Sequence, residues 1–182
     1  MTRRTLAIVI ALLAAVVAAG CGVPLDDSPR AINQTTTSTT TTAPISNVGG
    51  VVVLYFVDED GGLVGRESNV ERQAGVQDAV TTLLATEPGK PLATRIPSGT
   101  RLNEDLVIDG DLVQVDLTGE MDEVSGEAQK LAFAQIVFTI LEFPAYSRVT
   151  FLIEGEVVAA PTDGENREIV RAADYDPPIN PG

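Results

Sequence analysis

The side chains in this sequence with the most capacity for chemistry are carboxylates. Asp58-Glu59-Asp60-Gly61-Gly62 crowds several of them onto one turn. A calcium loop of the Asp-x-Asp-x-Asp-Gly kind needs an oxygen ligand at its fifth position, where Gly62 stands, and glycine at its sixth, where Leu63 stands. The run therefore reads as a solvated turn, and no metal ligand is assigned. Asp109, Asp111 and Asp116 fall on or beside one hairpin. Two carboxylates about 5–10 Å apart in a cleft, one with a raised pKa, would suit glycoside hydrolysis. With 26 acidic residues in the chain, such proximity is also expected by chance. Glu87-Pro88-Gly89-Lys90 is not a phosphate loop, because the lysine follows a helix and does not start one. The chain has no histidine and a single cysteine. That excludes histidine triads, Cys–His dyads, Cys/His zinc sites and a disulfide framework. No catalytic residue and no cofactor is assigned.

The one cysteine is Cys21. It follows Arg3-Arg4, an apolar or small run from Leu6 to Ala19, and Gly20. A basic start, a short apolar stretch and small residues before a cut describe a secretory signal. Ala18-Ala19-Gly20-Cys21 resembles the cleavage box of a bacterial lipoprotein. The resemblance implies cleavage between Gly20 and Cys21 and acylation of Cys21. Each buried methylene of an acyl chain contributes about 0.8 kcal/mol, so two or three chains hold a protein on a membrane. The expected location is the extracytoplasmic face of the cell membrane.

Net charge is −14, from 12 basic and 26 acidic residues. Loss of residues 1–20, with Arg3 and Arg4, leaves 10 basic against 26 acidic residues, or −16. Such a surface repels nucleic acid, which needs clustered Lys and Arg, and repels anionic headgroups. Membrane attachment would then rest on the lipid alone.

Residues 22–47 show no hydrophobic periodicity and contain Thr35-Thr36-Thr37-Ser38-Thr39-Thr40-Thr41-Thr42. This composition cannot bury enough apolar surface to offset chain entropy. It reads as a tether, about 85 Å long if extended and about 30 Å as a coil. The expected organisation is a removed signal at 1–20, a lipidated tether at 21–47, a folded domain at 48–176 and a tail at 177–182.

Within the domain, Val51–Val57 is an unbroken apolar run rich in β-branched residues, expected as a strand covered on both faces. Leu63–Glu67 returns beside it. Val76, Ala79, Val80, Leu83 and Leu84 share one helical face over Gly75–Ala85, and Pro88-Gly89 ends that helix. Leu106–Val113 predicts a hairpin with Asp109-Gly110 as a two-residue loop. Ile108 is then opposite Asp111, and Leu106 opposite Val113. Leu106, Ile108, Val113, Val115 and Leu117 form its apolar face. Ser125 is expected to cap a helix that runs to about Glu142, before Pro144. Arg148–Ile153 alternates as a strand, and Glu154-Gly155 turns it into Glu156–Val158. The order β(β)-α-β-β-α-β-β predicts an α+β fold: one mixed or antiparallel sheet of 4–6 strands with two helices on one face.

Gln135, Thr139 and Glu142 share the less apolar side of the second helix. They form a candidate contact strip for a partner, or else bond to nearby backbone. A free strand edge is the other contact mode that a domain of this class offers.

Several segments together resemble a GerMN domain, found in spore-germination proteins and in envelope lipoproteins of actinobacteria. They are Leu54-Tyr55-Phe56-Val57 with Leu63-Val64, the helix ending Leu83-Leu84 with Pro88 after it, and Ile96-Pro97-Ser98-Gly99-Thr100. Val113-Gln114-Val115-Asp116-Leu117, Ala134–Thr139 and Val149-Thr150-Phe151 before Glu154-Gly155 complete the set. The resemblance spans Val51 to Tyr175. It implies a non-enzymatic assembly or accessory role at the cell envelope, with a protein partner. The alternatives are an envelope hydrolase using paired carboxylates, or a small-ligand-binding lipoprotein.

Overall fold

The computed structural model describes residues 49–71 and 74–182. The signal, Gly20, Cys21 and the Thr-rich tether lie outside the described residues.

Strand β1 (Gly50–Val57) pairs antiparallel with β2 (Leu63–Val70) across a turn at Asp58–Gly62, with Val57 opposite Leu63. The unbroken apolar run has the expected cover only in its second half, because Val51 is exposed and Val53 half-buried. Leu54, Tyr55, Phe56 and Val57 are all buried, so both faces of the strand's second half are covered. In the turn, Asp58 Oδ1 accepts from the N–H of Asp60 at 3.0 Å and of Gly62 at 2.8 Å. That carboxylate is committed to its own turn.

Helix α1 (Val76–Ala85) buries Val76, Ala79, Val80 and Leu83, the stripe that the spacing predicts. A long loop then leads to β3 (Val107–Asp109) and β4 (Leu112–Leu117). Along β4, Val113, Val115 and Leu117 are buried, whereas Leu112, Gln114 and Asp116 are half-buried, the alternation of a strand with one covered face. Helix α2 (Glu127–Leu141) carries the chain over to β5 (Arg148–Ile153), which runs parallel to β4. Parallel neighbours require such a crossover. The short strands β6 (Glu156–Val158) and β7 (Ile169–Val170) both pair antiparallel with β5, at residues 151–153 and 149–150 respectively.

The strands therefore form two sheets, a β1–β2 hairpin and a mixed five-stranded sheet in the order β3-β4-β5-β6 with β7 also on β5. Helix α2 packs against β1 and β5, and α1 packs against α2 and β1. Every residue of α2 from Leu131 to Ile140 is buried. A helix that is buried all round needs apolar residues all round. Phe133 meets Phe151 of β5 with ring centroids 4.6 Å apart, and Phe138 lies between Tyr55 at 5.9 Å and Tyr175 at 5.8 Å. Each such tilted pair adds about 0.5–1.5 kcal/mol beyond area burial. No helix among the described residues is long and apolar enough to cross a membrane.

Three local expectations are corrected. The β3–β4 loop is Gly110-Asp111, not Asp109-Gly110: Asp109 is opposite Leu112 and Ile108 opposite Val113. Gly110 takes φ 61° as the first loop residue, where a type II′ turn favours glycine. Asp111 is drawn into the loop by long-range bonds. Its main-chain oxygen accepts the N–H of Ser147 at 3.0 Å and of Arg148 at 3.2 Å. The pairing moves by two positions, so Leu106, Ile108, Val113, Val115 and Leu117 still share a face.

Ser125 does not cap α2. Gly126 precedes the helix at φ 60°, with no side-chain capping bond. The last six residues are not a loose tail. Ile179 is buried, Leu63 N–H donates to the Pro178 oxygen at 3.2 Å, and Asn180 Nδ2 donates to the Ala172 oxygen at 3.0 Å.

Candidate functional site

The loop between α1 and β3 is where the fold leaves space. Its start is held by Arg66, whose Nη1 donates to the Pro88 oxygen at 2.7 Å. Ala93 and Val57 exchange main-chain bonds of 2.8 and 2.9 Å, extending the edge of β1 by one bridge. Arg95 N–H donates to Gln135 Oε1 at 2.8 Å. Thr100 closes a turn onto the Pro97 oxygen through its N–H at 3.2 Å and its hydroxyl at 2.8 Å. Arg101 and Thr118 bond to each other, and Leu106 N–H donates to Gln77 Oε1 at 2.8 Å. A loop tied at so many points is held in one shape.

Between this loop and α1 lies an open cleft of about 740 Å³. Leu83 and Ile96, both buried, floor it, with Leu84 and Leu102 beside them. Thr81, Ser98 and Asn103 add hydroxyl and amide groups. The rim carries Glu87, Glu104 and Asp105 against a single cation, Arg101. A smaller cleft of about 330 Å³ surrounds Lys130. There Lys130 Nζ is bonded to Asp163 at 2.8 Å and to Glu127 at 3.0 Å, so its charge is already matched.

The carboxylates singled out in the sequence do not converge. Asp111 forms a two-pronged ion pair with the Arg148 guanidinium and accepts from the Ser147 hydroxyl. Those donors hold its carboxyl well below the ordinary carboxylate range, the opposite of what a general acid requires. Asp116 Oδ1 accepts from Asn103 Nδ2 at 3.2 Å and from Gly155 N–H at 3.1 Å, tying two loops together. Among the described residues, no group of three or more His, Cys, Asp or Glu is placed to hold a metal ion.

The contact strip expected of Gln135, Thr139 and Glu142 is turned inward. Gln135 and Thr139 are fully buried. Gln135 Nε2 donates to the Tyr55 oxygen at 2.9 Å, and Thr139 Oγ1 accepts the Tyr55 N–H at 3.1 Å. Glu142 remains exposed and accepts the Tyr55 hydroxyl through Oε1. Burial and the Glu142 charge push the Tyr55 phenol up. The strip therefore secures β1 and offers no buried partner groups to another protein. Sequence reasoning missed the cleft, because its walls come from segments that are adjacent only in the fold. The available signal was the length of the α1–β3 connection, since a long connection within a small domain is commonly functional.

These features define a small α+β domain, a hairpin and a mixed sheet joined through one buried helix, with a preformed cleft on one side. The model of the family described as Germane: Sporulation and spore germination matches residues 53–159, and the chain belongs to that family. The tandem GerMN domains of the sporulation protein GerM from Bacillus subtilis are similar in structure, with a TM-score of 0.56 at 17% identity. That match covers 69% of this chain and 47% of the tandem protein, so the chain spans about half of it. The first GerMN domain of the same protein matches with a TM-score of 0.51 at 15% identity, covering 67% of this chain and 95% of that domain. At these identities the likeness concerns the fold. No curated protein matches the sequence.

Proposed function

We propose that this chain belongs to a lipid-anchored, extracytoplasmic protein whose GerMN domain acts by contact with an envelope protein and not by catalysis. The observation that carries this reading is the fate of the carboxylates. Asp111 is spent on Arg148, and Asp116 on Asn103 and Gly155, so the pair a glycosidase would use is tied into structure. The chain has no histidine to act in their place. Anchoring is supported by Arg3-Arg4, the apolar run and the lone Cys21 behind Gly20.

A fatty-acid probe should label the wild-type protein in growing cells and leave Cys21→Ser unlabelled. Affinity recovery from membranes should return a specific protein with the anchored form. Recovery of no protein, together with turnover of a cell-wall glycan by the purified domain, would replace this reading by the hydrolase.

A further inference from the structure

The cleft runs directly into a sheet edge. Residues 101–105 form one wall of the cleft, and β3 begins two residues later at Val107. Among the described residues β3 pairs only with β4, so its other side ends the five-stranded sheet there. Both apolar residues of this edge are open to solvent, Val107 at 52% and Ile108 at 49%. In a two-residue hairpin the pair flanking the loop exchanges its bonds, and the next pair does not. With Asp109 and Leu112 flanking the loop, the N–H and C=O of Ile108 point away from β4. An exposed apolar edge of this kind is a template for another strand. The Leu106–Gln77 bond and the rest of the loop's ties hold the edge and the cleft in fixed relation.

Charge selects the occupant. Glu87, Glu104 and Asp105 line the cleft with Arg101 the only cation in that lining, and Asp109 closes the strand on the side of Arg148. None of these four carboxylates takes part in the ion pairs found among the described residues. A second copy of a chain of net charge −14, nucleic acid and an anionic membrane are all repelled.

We infer that the β3 edge and the adjoining cleft together dock an extended basic segment of a partner protein, which adds to β3 as a further strand. Its main chain bonds to Ile108, its apolar side chains lie beside Val107 and over Leu84 and Leu102 at the side of the cleft floor, and its Lys or Arg side chains meet Glu104, Asp105 and Asp109. This rests on the contact function proposed above and assigns it a surface and a partner chemistry.

The probe is a short peptide alternating Val and Lys, titrated into the ¹⁵N-labelled full chain in neutral detergent. The amides of residues 101–109 should shift saturably. A matched peptide with Glu in place of Lys should leave them unmoved, and a proline-interrupted Val/Lys peptide should bind about tenfold more weakly. Ile108→Pro removes an outward N–H at an edge position that tolerates proline, along with a half-exposed side chain, and should weaken binding about tenfold beyond Ile108→Ala, which keeps the N–H. The surface pair Glu87→Lys/Glu104→Lys should weaken binding about tenfold without touching the hairpin. Shifts scattered over the acidic surface, equal binding of the proline-interrupted peptide, or undiminished binding to both Ile108→Pro and the surface pair would overturn the docking site. If membranes yield a protein partner whose cross-links fall outside residues 87–109, the docking site is wrong and the contact function stands. If no partner is recovered and the purified domain turns over a cell-wall glycan, both fail.

Discussion

The carboxamide of Gln135 stands where a neighbouring strand would bond to Tyr55. It donates to the Tyr55 oxygen at 2.9 Å, and its own oxygen accepts Arg95 N–H at 2.8 Å. One buried side chain thus links β1 to the cleft loop through helix α2. Gln135→Leu keeps the volume and leaves the buried Tyr55 oxygen and the part-buried Arg95 N–H without their partner, at a cost of about 1–3 kcal/mol. Thr139→Val, which orphans only the Tyr55 N–H, should cost about 1–2 kcal/mol. Urea unfolding midpoints at unchanged slope measure both. Near-equal midpoints for wild type and Gln135→Leu would contradict the structural role.

The hairpin loop provides a second test. Gly110 at φ 61° tolerates Asn, which visits the left-handed region, but not Val. Gly110→Val should cost about 1–2 kcal/mol and Gly110→Asn appreciably less. Nothing lies within 4 Å of a Cβ built on Gly110, so the difference isolates backbone strain from steric crowding. If both variants unfold together, the loop does not need its left-handed residue.

Most elements were legible in the sequence because local pattern and tertiary need agree there. The Val76–Leu83 stripe, the alternation in β4 and the turn at Glu154-Gly155 each encode their own burial. The hairpin register was not legible, because Arg148 and Ser147, some 37 residues away in sequence, decide where Asp111 sits. The polar strip of α2 misled for a related reason. On a wheel, Gln135 and Thr139 look like a solvent face, yet the main chain of β1 needs polar partners and is brought to them. The cleft left no local trace, since Leu84, Ile96 and Leu102 read as ordinary core residues until the loop encloses space between them.

The C-terminal residues give a third test. Ile179 is 5% exposed and belongs to the core that includes Leu63 and Tyr175. Ile179→Ala should lower stability by about 2–3 kcal/mol. Deletion of residues 177–182 should lower it at least as much, because the bond from Leu63 N–H to the Pro178 oxygen is lost as well. A deletion with the wild-type midpoint would show that these residues are dispensable.

Acid is the last test, and its sign is fixed by Asp111. The Arg148 bonds and the Ser147 bond lower its pKa in the folded protein below the unfolded value of about 3.9. A depressed carboxylate stabilises the fold above the unfolded pKa, and that stabilisation disappears as pH falls through the folded pKa. Asp111→Asn removes the titration while keeping most of the side-chain shape. The stability difference between wild type and Asp111→Asn should therefore be constant from pH 7 to about 5. It should then shrink steadily as acid protonates Asp111. Arg148 keeps its charge throughout, so the loss belongs to the carboxylate alone. Since Asp111 also sets the β3–β4 register, ¹⁵N chemical shifts of the folded protein at Ile108 and Val113 should stay fixed while the stability difference begins to shrink, and move only at the lower pH where folded Asp111 itself takes up a proton. A stability difference that does not change down to pH 2, or one that widens on acidification, would contradict the ion pair as the feature that fixes the hairpin.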